Sequence, residues 1–225
     1  MIRAVLFDFD GLIVDTELPT YTAWRDAYKE FGVDLALEDY LPAVGTGSST
    51  SLADGGFDAI EHLENMIGKR VDRDSVVERR SRRKLELCQS ARILPGVSDR
   101  LAEARGLGLL TAIVTRNSGD WVAGHCRRVG LAHRWDLVVC ANDTPTMDKA
   151  ELYRRALAQL DVGADEAIAL EDSPPGVEAA KSAGVYCVAV PNEITRGASF
   201  AAADRVYASL EELSLAELAR SIDSG

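Results

Sequence analysis

The sequence predicts an α/β fold, a doubly wound parallel sheet with an all-helical domain inserted after its first strand. Three observations predict it. Five short apolar runs recur along the chain, helical periodicity fills the gaps between them, and one long stretch near the amino end has helical periodicity and no strand. Near-continuous apolar runs belong to strands covered by helices on both faces, as in a parallel sheet.

The first strand is read in Ile2-Arg3-Ala4-Val5-Leu6-Phe7, and the second in Leu110-Thr111-Ala112-Ile113-Val114. Asp136-Leu137-Val138-Val139-Cys140-Ala141 is the third and Ala167-Ile168-Ala169-Leu170 the fourth. Val185-Tyr186-Cys187-Val188-Ala189-Val190 is the fifth, and Val206-Tyr207 adds a short sixth. Between them, Val97, Leu101 and Ala104 recur at helical spacing until Gly106, as do Leu152, Ala156, Leu157 and Leu160 before Val162-Gly163. Val177, Ala180 and Ala183 precede Gly184, which suits a helix C-terminus. Strand and helix alternating at these lengths give a Rossmann-like core. From about 17 to 93 the alternation stops. Trp24, Ala27, Tyr28 and Phe31 fall at i, i+3, i+4 and i+7 and end at Gly32, and Leu63, Met66 and Ile67 continue the pattern. The domains are therefore expected as a discontinuous α/β core, 1–16 and 94–225, and a helical cap, 17–93.

Composition narrows the function. The 225 residues carry a formal net charge of −11, a poor match for a phosphate backbone, so no nucleic-acid partner is expected. No apolar run approaches the roughly 20 residues of a membrane span. The start runs straight into a strand pattern and an acid, without the longer apolar stretch of a signal peptide, so the protein is read as cytoplasmic, a monomer or weak dimer. Cys88, Cys126, Cys140 and Cys187 form no CxxC pair and are read as buried free thiols. The basic run Arg79, Arg80, Arg82, Arg83 and Lys84 is read as the solvated face of a helix, with an anion patch as the alternative.

Ligands of open α/β sheets bind beyond the carboxyl ends of the strands. There the sequence places Asp8 and Asp10 after strand one and Thr115-Arg116-Asn117-Ser118 after strand two. Asn142 and Asp143 follow strand three, and Glu171-Asp172-Ser173 follow strand four. Converging acids repel unless a divalent cation joins them, and all-oxygen donors suit magnesium. Hydroxyl and amide donors beside such a site suit a phosphoryl group. Residues two apart on a regular strand share a face, so Asp8 and Asp10 are expected to point at one reacting centre, one as nucleophile and one as proton donor.

Asp8-Phe9-Asp10-Gly11-Leu12-Ile13-Val14-Asp15-Thr16-Glu17 resembles the first motif of the haloacid dehalogenase superfamily. Ile113-Val114-Thr115-Arg116-Asn117 is similar to the second motif and Leu170-Glu171-Asp172-Ser173-Pro174-Pro175-Gly176 to the fourth; the subgroup resembled is the β-phosphoglucomutase-like sugar phosphatases. The resemblance implies that Asp8 attacks phosphorus and that Asp10 protonates the leaving group and then activates water. It also implies that magnesium is held by Asp8, the Asp10 backbone carbonyl and Asp172 with Glu171 close by, and that Thr115, with the backbone of Arg116 and Asn117, binds the phosphoryl group. The implied activity is magnesium-dependent hydrolysis of a small phosphorylated metabolite, a sugar or polyol phosphate; the alternative is a hexose-phosphate mutase of the β-phosphoglucomutase type.

One motif departs from the family pattern. The stretch Thr144-Pro145-Thr146-Met147-Asp148-Lys149 puts Met147 where the family's third-motif lysine stands. Lys149, two positions later, either reaches the phosphoryl group by a local shift or is a first-turn surface lysine. The mutase alternative is disfavoured because Thr20 stands where such mutases carry a histidine, and the loop 45–50 has no arginine.

Overall fold

The computed structural model describes residues 1–45, 57–141 and 148–224. Most of the loop 44–49, the strand-three residues Asn142 and Asp143, and the stretch 144–147 lie outside the described residues. The chain forms two compact units, Asp15–Ala91 and the combination of Met1–Val14 with Arg92–Gly225.

The first of these units is helical. Helix α1 (Glu17–Lys29) is followed by the single turn α2 (Leu37–Tyr40), then α3 (Ala59–Ile67) and α4 (Arg73–Cys88). Asp58 caps α3, its Oδ1 accepting from the amides of Ile60 and Glu61 at 2.8 and 3.0 Å, and Asp72 caps α4 through Ser75. Helices α1 and α4 pack on each other, with Trp24 and Tyr28 fully buried.

The packing of α4 corrects the expectation of a purely solvated basic face. Arg80 is only 5% exposed and lies with its guanidinium carbon 4.8 Å from the Trp24 ring centre. Arg79 and Arg83 reach across to Glu30 and Asp26 of the α1 segment at 2.9 and 2.8 Å. The reason is helical spacing: Val76, Arg80 and Cys88 recur on the buried stripe, so a run of cations supplies both a solvated edge and a buried member.

The second unit is the α/β core. Strands β1 (Ala4–Phe7), β2 (Leu110–Thr115), β3 (Leu137–Cys140), β4 (Ala167–Glu171), β5 (Tyr186–Ala189) and β6 (Arg205–Val206) form one six-stranded sheet in the order β3-β2-β1-β4-β5-β6, with every pairing parallel. This is the α/β, Rossmann-like class that the sequence predicts. Central β1 pairs Ala4 with Leu110 on one side and with Ala167 on the other. Helices α5 (Val97–Gly106), α6 (Gly119–Arg128), α7 (Lys149–Leu160), α8 (Pro174–Ser182) and α9 (Leu215–Asp223) complete it.

The sheet's side chains alternate between the two helical layers. Ala4, Leu6, Ala112, Val114, Ala169 and Cys187 pack with Leu152, Tyr153 and Ala156 of α7 and Val177 and Ala180 of α8. Small residues on this face let two helices approach closely. Val138, by contrast, is 44% exposed, because β3 is a sheet edge covered less completely than the apolar run suggests. Helix α6 carries Gly119 and Gly124 and only a few apolar positions, so periodicity did not announce it. Each of the four cysteines is buried and free; burial pushes the Cys140 thiol up to about 11 and Cys187 further.

Candidate active site

In the order β3-β2-β1-β4-β5-β6 the connections diverge between β1 and β4, which opens a crevice beyond their carboxyl ends. Asp8 leaves β1 there, Glu171 ends β4 and Asp172 follows it. Each offers a carboxylate oxygen, and the three oxygens lie within 4.8 Å of one another. All three residues are buried, at 6%, 0% and 2% exposure.

Lys149 enters this cluster from the first turn of α7. Its Nζ lies 2.7 Å from Asp8 Oδ1 and 2.7 Å from Glu171 Oε1, and the residue is 7% exposed. The surface-lysine alternative is therefore wrong. The N-cap explains the placement: Asp148 Oδ1 accepts from the Ala150 amide at 3.1 Å and starts the helix one residue before Lys149. Burial opposes the lysine's charge, but the Asp8 and Glu171 carboxylates outweigh it and raise its pKa. Burial pushes Glu171 up to about 7; Lys149 opposes this and Asp8 adds to it. Tyr153, one turn along α7, donates to Glu171 Oε1 at 2.5 Å, and its own pKa is driven far up, first by burial and then by that carboxylate.

The glycine of the fourth motif has a steric reason. Glu171 Oε2 is buried without a hydrogen-bond partner among the described residues, and it lies against Gly176. A Cβ on Gly176 would sit 1.9 Å from that oxygen. Helix α8 can pass over the glutamate only with a bare Cα at this position.

Asp10 behaves differently from the expectation of two acids on one regular strand. Strand β1 ends at Phe7, and the chain then curls: the Ile13 amide bonds to the Phe9 carbonyl, the Gly11 amide to the Val14 carbonyl, and Gly11 takes φ 79°. In this turn the Asp10 carboxylate does not join the Asp8 cluster. Its Oδ2 accepts from Asn117 Nδ2 at 2.6 Å and its Oδ1 from Trp121 Nε1 at 2.9 Å. Thr115, 2% exposed at the end of β2, accepts the Asn117 amide on Oγ1 at 3.1 Å, and Arg116 stands half-buried between them.

Three residues of the site went unread in the sequence: Trp121, Tyr153 and Asn192. Asn192 lies beyond the carboxyl end of β5, where the strand-end rule could have found it. Its Nδ2 donates to Asp172 Oδ2 at 2.7 Å and to the Gly11 carbonyl at 3.1 Å, while its Oδ1 accepts from the Ile194 and Thr195 amides. One side chain thus ties the loop after β1 to the loop after β4.

Three hard carboxylate groups converging in a buried cluster, with Glu171 Oε2 lacking a partner among the described residues, are a donor set that fits magnesium. No helix among the described residues is long and apolar enough to cross a membrane.

The family model described as haloacid dehalogenase-like hydrolase matches residues 5–190. YhcW of Bacillus subtilis (strain 168) is 35% identical over 225 residues, covering all of this chain and 99% of that protein. Hexitol phosphatase B of Escherichia coli (strain K12) is 27% identical, covering 96% of each chain. The crystal structure of Rhodobacter sphaeroides CbbY with phosphate is 30% identical with a TM-score of 0.72, covering 97% of this chain and all of that one. A variant of the same protein was crystallised with xylulose-1,5-bisphosphate. The chain belongs to the haloacid dehalogenase-like hydrolases.

Proposed function

We propose that the chain hydrolyses a small phosphorylated metabolite, a sugar or polyol phosphate, through a phosphoaspartate on Asp8 with magnesium bound. The observation that carries this reading is the buried junction of Asp8, Lys149, Glu171 and Asp172 at the β1–β4 crevice. Asp8 and Asp172 would hold the ion with the Asp10 backbone carbonyl, and Glu171 stands beside them. When bound, it supplies positive charge against the phosphoryl oxygens.

The chain's own residues do the rest. An Asp8 carboxylate oxygen forms a bond to phosphorus as the ester P–O bond breaks, and the leaving oxygen takes a proton from Asp10. Asp10 then removes a proton from water, which attacks the same phosphorus and frees Asp8 and inorganic phosphate. Thr115, the Arg116 and Asn117 backbone, and Lys149 receive the equatorial oxygens. Residues 17–93 act as the helical cap of this enzyme and residues 1–16 with 94–225 as its catalytic core. Relatives that are a hexitol phosphatase and a protein crystallised with a sugar bisphosphate support the substrate class, and four free cysteines suit a reducing, cytoplasmic setting.

The test is a panel of sugar and polyol phosphates assayed for phosphate release with magnesium and with EDTA. Metal-dependent release from at least one is expected. Glucose 6-phosphate appearing from β-glucose 1-phosphate faster than free phosphate would make the chain a mutase instead.

A further inference from the structure

Asp10 is held by more than the turn that carries it. Both of its carboxylate oxygens receive N–H donors from the segment after β2, Oδ2 from Asn117 and Oδ1 from the indole of Trp121. An indole has one donor and no acceptor, on a stiff ring with two side-chain torsions, so its direction is well defined once the ring is fixed.

The ring is fixed. Ser118 Oγ accepts the Trp121 amide at 3.3 Å and sets the start of α6. His125, one turn on, packs its edge against the indole with ring centres 4.4 Å apart and planes at 63°. His125 is 8% exposed, and the ring of Phe9, the neighbour of Asp10, lies 6.2 Å from its own. Arg128 Nη2 lies 2.8 Å from His125 Nδ1, and since a guanidinium can only donate, Nδ1 is the acceptor. Residues 121, 125 and 128 fall at i, i+4 and i+7 on one face of α6. That face is a brace ending at the Asp10 carboxylate.

We propose that Trp121 is a positioning residue for protonation of the leaving group, acting through Asp10. The inference rests on the reading of Asp10 as proton donor. As the ester P–O bond breaks, its electron pair goes to the leaving oxygen, which takes the Asp10 proton. The Asp10 carboxylate so formed keeps an N–H on each oxygen. Without the indole N–H, Oδ1 loses this donor and the side chain loses a contact that orients it. The effect is confined to leaving groups that need a proton.

The experiment compares kcat/KM for an alkyl phosphate turned over by the wild-type chain with that for 4-nitrophenyl phosphate, whose phenolate leaves unprotonated. General-acid assistance is worth about 10²- to 10⁴-fold, so partial misplacement in W121F should lower the alkyl-to-aryl ratio about tenfold. W121H, which keeps a ring N–H, should stay within about threefold of the wild-type ratio. The ratio is internal to each preparation, so loss of folded protein lowers both rates and leaves it unchanged. A wild-type ratio in W121F would overturn the inference, whether the two rates fall together or not at all. A wild-type chain that hydrolyses neither ester would overturn the phosphatase reading itself.

Discussion

Replacing Lys149 with Met keeps much of the side chain's bulk and removes its ammonium, and the structure sets what this costs. Two contacts of 2.7 Å are lost, to Asp8 Oδ1 and Glu171 Oε1. At an effective dielectric of about 20, each is worth roughly 6 kcal/mol of gross attraction. Most of that is offset by the desolvation of a fully buried ammonium, and removing one partner of a buried pair costs about 3–5 kcal/mol net. Glu171 can limit the loss by taking up a proton, because burial has already raised its pKa to about 7 and losing Lys149 raises it further. The lower end, about 3 kcal/mol, is therefore expected at pH 6, a fall in Tm of about 6–12 °C for a chain of this length. The sign of the pH dependence follows. An acid raised in the folded state favours folding while protonated, and that contribution is lost as pH rises through its folded pKa. In the wild type the loss ends near 7; in K149M it continues above 7, so the gap between the two proteins should widen from pH 6 to pH 8.5. Melting followed by circular dichroism at both pH values tests this. A Tm within about 2 °C of wild type at both would refute the claim that Lys149 neutralises the cluster.

On the proposed mechanism Asp8→Asn removes the attacking anion, and kcat should fall at least about a thousandfold in a phosphate-release assay, with no phosphoenzyme trapped in acid-quenched protein. Gly176→Ala forces a Cβ to within 1.9 Å of Glu171 Oε2; overpacking of this kind costs about 1–3 kcal/mol, so a lowered Tm is expected together with a lowered kcat/KM, whereas the control G197A, where a Cβ meets nothing within 4 Å, should change neither. In the helical unit, burial works against ionised Asp58, but the Glu61 and Ile60 amides and Arg73 outweigh it and hold its pKa down. Its contribution is present above the ordinary aspartate range and lost on acidification, so Asp58→Ala should destabilise by about 1 kcal/mol at pH 7 and by less near pH 3, read by urea denaturation.

The sheet was legible because its strands are buried on two faces and so read as apolar runs, and the acids were legible because they stand at strand ends. What was not legible depends on direction. Asp10 lies two residues from Asp8, but the turn at Gly11 sends its carboxylate to Asn117 and Trp121, and no spacing rule encodes that turn. Lys149 could be placed only once the Asp148 cap fixed where α7 begins. Arg80 was hidden inside a run of cations because a count of charges ignores which face each one takes. Asn192 is an uncharged residue in a loop, and its importance shows only when Asp172 and Gly11 are both seen to lean on its amide.

Central β1 has consequences for how the protein is made. Lys149 meets Asp8 across 141 residues, Asn117 meets Asp10 across 107, and Asn192 meets Gly11 across 181. Strand β1 must therefore wait for β2 and β4 to be made before it has neighbours. Its apolar sequence stays exposed in the meantime, while the helical unit, whose ion pairs from α4 to the α1 segment span 49 and 57 residues, needs only its own segment to fold. Such long-range parallel pairing is slow and open to aggregation. On the proposed mechanism, a nascent chain that stops before residue 192 would hold the nucleophile Asp8 without the side chain that ties the loop after β1 to the loop after β4.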